Sequence, residues 1–180
     1  CLCSKLKYLN IQPLKTERLV LRKIEVTDAP FFFELFNSEG WLRYIGNRNI
    51  QTVADAEKQI TKKYIPSYTT NGYGSYLVIE KATQLPIGTC GIYKRDNLEY
   101  PDIGFAFLPD FTGKGFGFEA AFKVLHHSKT VLKIDTIYAF TVKENTASIG
   151  LLKKLGLQCI DTYVFPGETE KLLLFSTSKA

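Results

Sequence analysis

The chain of 180 residues has only four cysteines and two histidines, no long apolar run and no block of like charge. Each scarcity removes a class of function. Four cysteines at Cys1, Cys3, Cys90 and Cys159 are too few and too unevenly spaced for a disulfide framework, which points to a reducing, cytoplasmic setting. Cys1-Leu2-Cys3 lacks C-x-x-C spacing and has no nearby histidine, and His126-His127 stand alone, so no metal is expected. No apolar stretch approaches the roughly 18 to 20 residues that cross a bilayer, and no signal-peptide pattern is visible, so no membrane is expected. The formal charge of +5 is dispersed, with only short clusters such as Lys62-Lys63 and Lys153-Lys154, so no nucleic-acid partner is expected and an anionic small cofactor fits equally well.

What is present is an apolar, aromatic chain, 45% hydrophobic and 13% aromatic, suited to one compact domain over residues 1–180, with residues 1–15 extended or poorly ordered and the whole acting as a monomer or homodimer. Residues 17–24 read as a first strand. Thr27-Asp28 and Pro30 open a helix that Asn37-Ser38-Glu39-Gly40 stops, and Thr52 caps a second helix over residues 53–64 that Pro66 ends. Residues 74–81, 86–94 and 101–108 read as an antiparallel meander of three strands. A helix to about His127 follows, with Phe118, Ala121, Phe122 and Leu125 as its buried stripe. A strand over 134–142, a helix over 146–155 closed by Gly156, and a hairpin of 157–165 with 171–177 complete the chain. The fold class is α+β, a mixed sheet of about seven strands and about four helices, with the strand-helix-strand unit of residues 101–142 supplying a parallel pair.

The most informative segment is Thr112-Gly113-Lys114-Gly115-Phe116-Gly117, directly after a strand and before a strongly amphipathic helix. The first N–H groups of a helix have no intrahelical partner, the helix dipole places partial positive charge there, and glycine lets an anion approach the backbone. That combination suits a phosphate, with Lys114 as an added point charge or as a solvated side chain. A dinucleotide turn requires G-x-G-x-x-G after a first strand, and a P-loop requires G-x-x-x-x-G-K-[ST]; neither fits. Lys114-Gly115-Phe116-Gly117-Phe118 matches the opening of an RNA-recognition signature, but Glu119 and Ala121 break it and the segment has helical period.

On these residues the chain resembles the GNAT superfamily of N-acetyltransferases, and within it the RimJ/RimL type. Gly115 and Gly117 match the last fixed positions of the cofactor motif Q/R-x-x-G-x-G/A, with Thr112 where Gln or Arg is usual. Thr16 to Arg22 resembles the family's opening strand, and Asp102-Ile103-Gly104-Phe105 resembles its E-I-G-Y segment. Asn145-Thr146-Ala147-Ser148 and Lys154-Leu155-Gly156-Leu157 resemble its N-x-x-S and K-L-G-F segments. The resemblance implies a GNAT-like sheet splayed at its parallel pair, with acetyl-CoA as co-substrate and a primary amine, a protein N-terminus or a small molecule, as acceptor. A catalytically inactive acetyl-CoA binder is the non-enzyme alternative.

The implied cofactor contacts are the backbone near Phe107 and Leu108, the turn Thr112, Gly113, Lys114, Gly115, Phe116 and Gly117, and the side chains of Asn145 and Ser148. The Leu108 N–H is expected to polarise the thioester carbonyl. A neutral amine is needed for attack, so a general base is required; Asp102 and Glu99 are the candidates, with Glu119 behind them. The tyrosine that many family members offer the departing thiolate is replaced by Leu152, which leaves Ser148 as the implied proton donor. Trp41, Tyr44 and Tyr64 are candidates for the acceptor side, or for the core.

Overall fold

The computed structural model describes residues 11–178; Cys1 and Cys3 lie outside them. Eight strands form one sheet: β1 (Leu14–Lys15), β2 (Leu19–Lys23), β3 (Ser75–Glu80), β4 (Pro86–Tyr93), β5 (Asp102–Phe107), β6 (Tyr138–Thr141), β7 (Gln158–Tyr163) and β8 (Leu172–Ser176). Their spatial order is β1-β2-β3-β4-β5-β6-β8-β7. Every neighbouring pair is antiparallel except β5 with β6. The added strand relative to the sequence reading is the short β1, within the stretch read as extended.

Two apolar layers sandwich the sheet. On one face, α5 (Phe116–Thr130) and α6 (Thr146–Lys154) pack through Phe116, Ala120, Ala121, Val124 and Leu152 onto Leu21, Val78, Ile103 and Phe175. On the other, α1 (Ala29–Phe36), α2 (Glu39–Tyr44), α3 (Val53–Gln59) and α4 (Ile65–Thr70) cover Ile24, Leu77, Ala106 and Leu108. Phe32, Phe36, Trp41 and Tyr64 interlock there, with ring centroids 4.8 to 6.5 Å apart. Such pairs add about 0.5–1.5 kcal/mol each beyond the area they bury.

Three local expectations are corrected. Asn37-Ser38-Glu39-Gly40 does end α1 at Phe36, but Glu39 and Gly40 already belong to a further helix, with Ser38 extended at its N-cap. Thr52 caps α3 in a reciprocal box with Asp55, but Pro66 does not end the helical run. The run passes through a π-type segment, Ile60–Tyr64, and continues as α4 with Pro66 in its first turn. A proline has no N–H to offer, and the wider turn, with Ile65 N–H on the Ile60 carbonyl, absorbs the defect. The buried stripe of α5 is Phe116, Ala120, Ala121, Val124 and Ser128, whereas Phe122 is 56% exposed. Small residues face the sheet because they let the helix lie close to it, and the bulky Phe118 and Phe122 are left on the outside.

Candidate active site

Strand β5 has two unlike edges. Toward β4 all six residues are paired, from Tyr93↔Asp102 to Gly88↔Phe107. Toward β6 a single bridge, Asp102↔Tyr138, is formed, and Tyr138 N–H donates to the Pro101 carbonyl at 2.9 Å. Beyond it β6 stays with β8 through Thr141 while β5 stays with β4, so a V opens toward the C-terminal ends of the parallel pair. Backbone groups alternate sides along an antiparallel ladder. Leu108 N–H donates to the Ile87 carbonyl at 2.9 Å, and its carbonyl accepts from Phe111 N–H at 2.9 Å. The alternation therefore turns Phe105 and Phe107, not Leu108, toward the V. The expectation that the Leu108 amide is free is overturned, because register with β4 occupies it.

At the mouth of the V, Pro109–Phe111 form a tight 3-10 turn and the glycine turn follows. Gly113 and Gly115 have φ of +72° and +82°, a left-handed conformation that costs other residues about 1–2 kcal/mol, and Gly115 is the N-cap of α5. The i→i−4 ladder of the helix starts with Glu119 N–H on the Gly115 carbonyl at 3.1 Å, and no side chain caps the amides ahead of it. A Cβ on Gly113 would meet nothing within 4 Å, whereas one on Gly117 would meet Leu151 Cδ1 at 3.0 Å and Phe107 Cε2 at 3.6 Å. Open space thus fronts the turn, and Gly117 marks the narrow passage where α5, α6 and β5 converge. These residues fit the diphosphate and pantetheine of a coenzyme A thioester: amides for the anion, then an unpaired strand edge for an amide-bearing arm.

The side chains around the turn have their own partners. Thr112 Oγ1 donates to the Pro109 carbonyl at 2.8 Å, so the residue in the Gln/Arg position braces its own turn. Lys114 Nζ lies 5.5 Å from the Phe111 ring centroid. Phe116 is in the core beneath the Arg18 guanidinium, 4.4 Å away, and only its backbone faces the turn. Glu119 accepts from Thr16 Oγ1 at 2.6 Å, Arg18 N–H at 2.8 Å and Arg18 Nε at 2.7 Å. Burial alone would raise its pKa, but these donors outweigh burial and hold it below the usual carboxylate value. Arg18 also donates to the Lys114 carbonyl at 3.0 Å, so one arginine ties β2 to both the glycine turn and α5. Glu119 is therefore a clamp.

Across the passage, Asn145 caps α6, its Oδ1 accepting from Ser148 N–H at 3.1 Å. Ser148 is half-buried. Leu152, one turn on, is buried in the core.

Asp102 sits at the closed end of the V, roughly 17 Å along the strand from Phe107, and on the α1–α4 face. Its carboxylate is 4% exposed and bidentate with Arg95, Nε to Oδ1 at 2.7 Å and Nη2 to Oδ2 at 3.2 Å. Burial raises its pKa, and the hydrogen bond and charge of Arg95 offset part of that rise. Arg95 in turn lies 4.9 Å from the Phe165 ring centroid and 5.9 Å from that of Tyr93. Glu99 is exposed in the β4–β5 loop beside Tyr100, whose ring packs edge-on against Tyr138 at 5.3 Å. Both acids thus lie near the closed end, but only Asp102 is enclosed. Trp41 and Tyr64 belong to the core, 5% and 6% exposed, and Tyr44 is half-buried beside Arg43.

Residues missed by the sequence reading are Phe105, whose gap-facing backbone no side-chain pattern encodes, and Arg95, which holds Asp102 across seven positions of a loop. Among the described residues no helix is long and apolar enough to cross a membrane, and no group of three or more His, Cys, Asp or Glu is arranged to hold a metal.

Known proteins share this fold. The sequence pattern of the acetyltransferase (GNAT) domain family matches residues 18–158. An uncharacterized N-acetyltransferase, p20, from Bacillus licheniformis is 32% identical over 150 residues, covering 82% of this chain and 83% of that protein. Among solved structures, a RimL ribosomal-protein α-N-acetyltransferase in complex with coenzyme A superimposes with a TM-score of 0.78 at 14% identity, covering 92% of this chain and 97% of that one. A spermidine N-acetyltransferase SpeG chimera from Vibrio cholerae and hSSAT gives 0.72 at 19%, covering 89% and 95%.

Proposed function

Since the chain belongs to the acetyltransferase (GNAT) domain family, we propose that it moves an acetyl group from acetyl-CoA to the free α-amino group of a polypeptide, using the open edge of β5 as its cofactor seat. The observation that carries this reading is the single β5–β6 bridge followed by a V whose mouth meets the glycine turn. The acceptor would approach from the α1–α4 face, opposite α5. There the helices pack on β2 to β5, while the face of β6 and β7 presents Tyr138, Phe140, Tyr163 and Phe165. An extended chain terminus suits such an aromatic surface, and the RimL similarity points the same way; the SpeG similarity makes a small polyamine the competing acceptor.

In this reading the Phe107 N–H polarises the thioester carbonyl as negative charge gathers on its oxygen. Asp102, paired with Arg95 roughly 17 Å along the strand from Phe107, receives the proton of the incoming ammonium at the far end of a chain of waters, which frees the nitrogen lone pair. Nitrogen bonds to the carbonyl carbon and gives its second proton to solvent, the carbon–sulfur bond breaks, and the thiolate receives a proton from Ser148, which regains one from solvent. Asn145 Oδ1 is engaged by the helix cap, which leaves its Nδ2 to donate to pantetheine.

Thiol release from acetyl-CoA, measured over a panel of peptides with free α-amino groups alongside spermidine and aminoglycosides, tests the assignment. Turnover with a peptide is expected to exceed that with any small amine; preference for spermidine would move the acceptor to the competing class. Gly117→Trp, which blocks the passage to Leu151, is expected to weaken acetyl-CoA binding at least roughly 100-fold. Unchanged affinity would remove the cofactor from this site.

A further inference from the structure

Among the described residues, Trp41 Nε1 is the one buried side-chain nitrogen or oxygen without a hydrogen-bond partner, in an indole that is 5% exposed. A buried N–H left unpaired costs free energy that an arriving acceptor recovers. Two further donors stand near it. The Arg48 guanidinium lies 5.4 Å from the Trp41 ring centroid and has no ion pair among the described residues. The Tyr64 hydroxyl has no hydrogen bond among them either, and its ring flanks Phe36 as Trp41 does. Burial pushes the Tyr64 pKa up to about 12 while the nearby charge of Arg48 works the other way, so the hydroxyl stays a protonated donor. The loop holds Arg48 in place: Asn47 Oδ1 accepts from Asn49 N–H at 2.7 Å, and Asn37 Nδ2 donates to the Ile50 carbonyl at 3.1 Å.

Donors in excess of acceptors suit an anion, and a carboxylate, with two oxygens to share between an indole N–H and a guanidinium, fits this set. The cluster stands on the acceptor side of the sheet. There α2 lies against β5, and Trp41 and Tyr64 share their apolar layer with Leu108 and Ala106, whereas the glycine turn leads into α5 on the opposite face. Resting on the polypeptide reading above, we propose that Trp41, Arg48 and Tyr64 take the carboxylate of an acidic side chain that follows closely on the acceptor's free α-amino group. The same positive charge repels a polyamine, so one arginine selects for an acidic chain terminus and against the competing class of acceptor.

Thiol release from acetyl-CoA by the full chain, over C-terminally amidated peptides that differ only in Asp, Ala or Lys at the second to fourth positions, tests this. An Asp peptide is expected to exceed its Ala counterpart at least roughly tenfold in kcat/KM, with the Lys counterpart below both. Arg48→Ala should bring the Asp peptide down to the level of the Ala peptide, and Arg48→Glu should reverse the order so that the Lys peptide leads. Trp41→Phe, which keeps a ring and removes the N–H, should shrink the Asp preference. Each readout is a ratio within one variant, so a loss of folded protein cancels. Equal turnover of Asp and Ala peptides by the native chain, or an Asp preference that survives Arg48→Ala, overturns the inference and leaves the polypeptide reading standing. A preference that follows the free C-terminal carboxylate of unamidated dipeptides, and not an acidic side chain, overturns it as well. Acetylation of spermidine and of no peptide removes both.

Discussion

The two edges of β5 share six residues and have opposite fates. Against β4, each residue from Asp102 to Phe107 finds a partner, and even Leu108 beyond the strand donates to Ile87. Against β6, pairing ends after one bridge. The sealed edge is a matter of stability and the open edge of chemistry, and adjacent residues can belong to different edges. Leu108 and Phe107 make the contrast sharpest, and the largest effect is expected there. Phe107→Pro removes an amide that faces the V and no bond to β4, so turnover per folded molecule should fall on the order of 10²–10³-fold, beside the stability lost with the ring that packs on the core. Leu108 already has φ of −59°, which proline accepts, so Leu108→Pro should instead lose a ladder bond and a core side chain and destabilise the protein by about 3 kcal/mol in a denaturant titration. A reversal of the two outcomes would break the comparison.

Next in size is the closed end of the V. Asp102→Asn is expected to lower kcat about 100-fold, and Glu99→Gln to leave it nearly unchanged. A base must be ionised to work, so native activity falls as pH drops through the Asp102 pKa, which burial raises above the ordinary carboxylate value. In Asp102→Asn that acid limb disappears from the kcat/KM profile. A smaller effect, roughly tenfold in kcat with KM for acetyl-CoA little changed, is expected for Ser148→Ala, checked by steady-state thiol release.

The smallest effect belongs to the clamp on the sealed side. Glu119 has its pKa held down, so its contribution to folding is full above the unfolded carboxylate pKa and is lost as pH falls through the lower folded value. Glu119→Gln should therefore cost about 1 kcal/mol at neutral pH, discounted because Arg18 is 44% exposed, and the difference should vanish on acidification. Melting curves at neutral and acid pH read this directly.

The same contrast separates what the sequence discloses from what it hides. The glycine turn, the α5 N-terminus and the Thr52 cap are legible because each depends on local chemistry: positive φ at Gly113 and Gly115, and a side-chain oxygen three residues ahead of an amide. Which amide of β5 faces the V is not local. It follows from the register Gly88↔Phe107, and a slip of one residue would turn Leu108 inward instead. The stripe on α5 misleads for a related reason. Helical spacing admits both the Phe118–Phe122 face and the Phe116–Ala120–Val124 face, and residue size favours the wrong one, because the sheet selects the small residues. Pro66 reads as a terminator until the π-type turn ahead of it absorbs its missing donor.

Backbone amide resonances of the full chain, followed by NMR as acetyl-CoA is added, test the open-edge account most directly. The account predicts that the Phe107 amide, with those of Gly115 to Phe118, shifts strongly and gains protection from solvent exchange, while the Leu108 amide is protected beforehand and barely moves. A Leu108 amide that exchanges freely and responds to the cofactor, beside a Phe107 amide that does not, would contradict it.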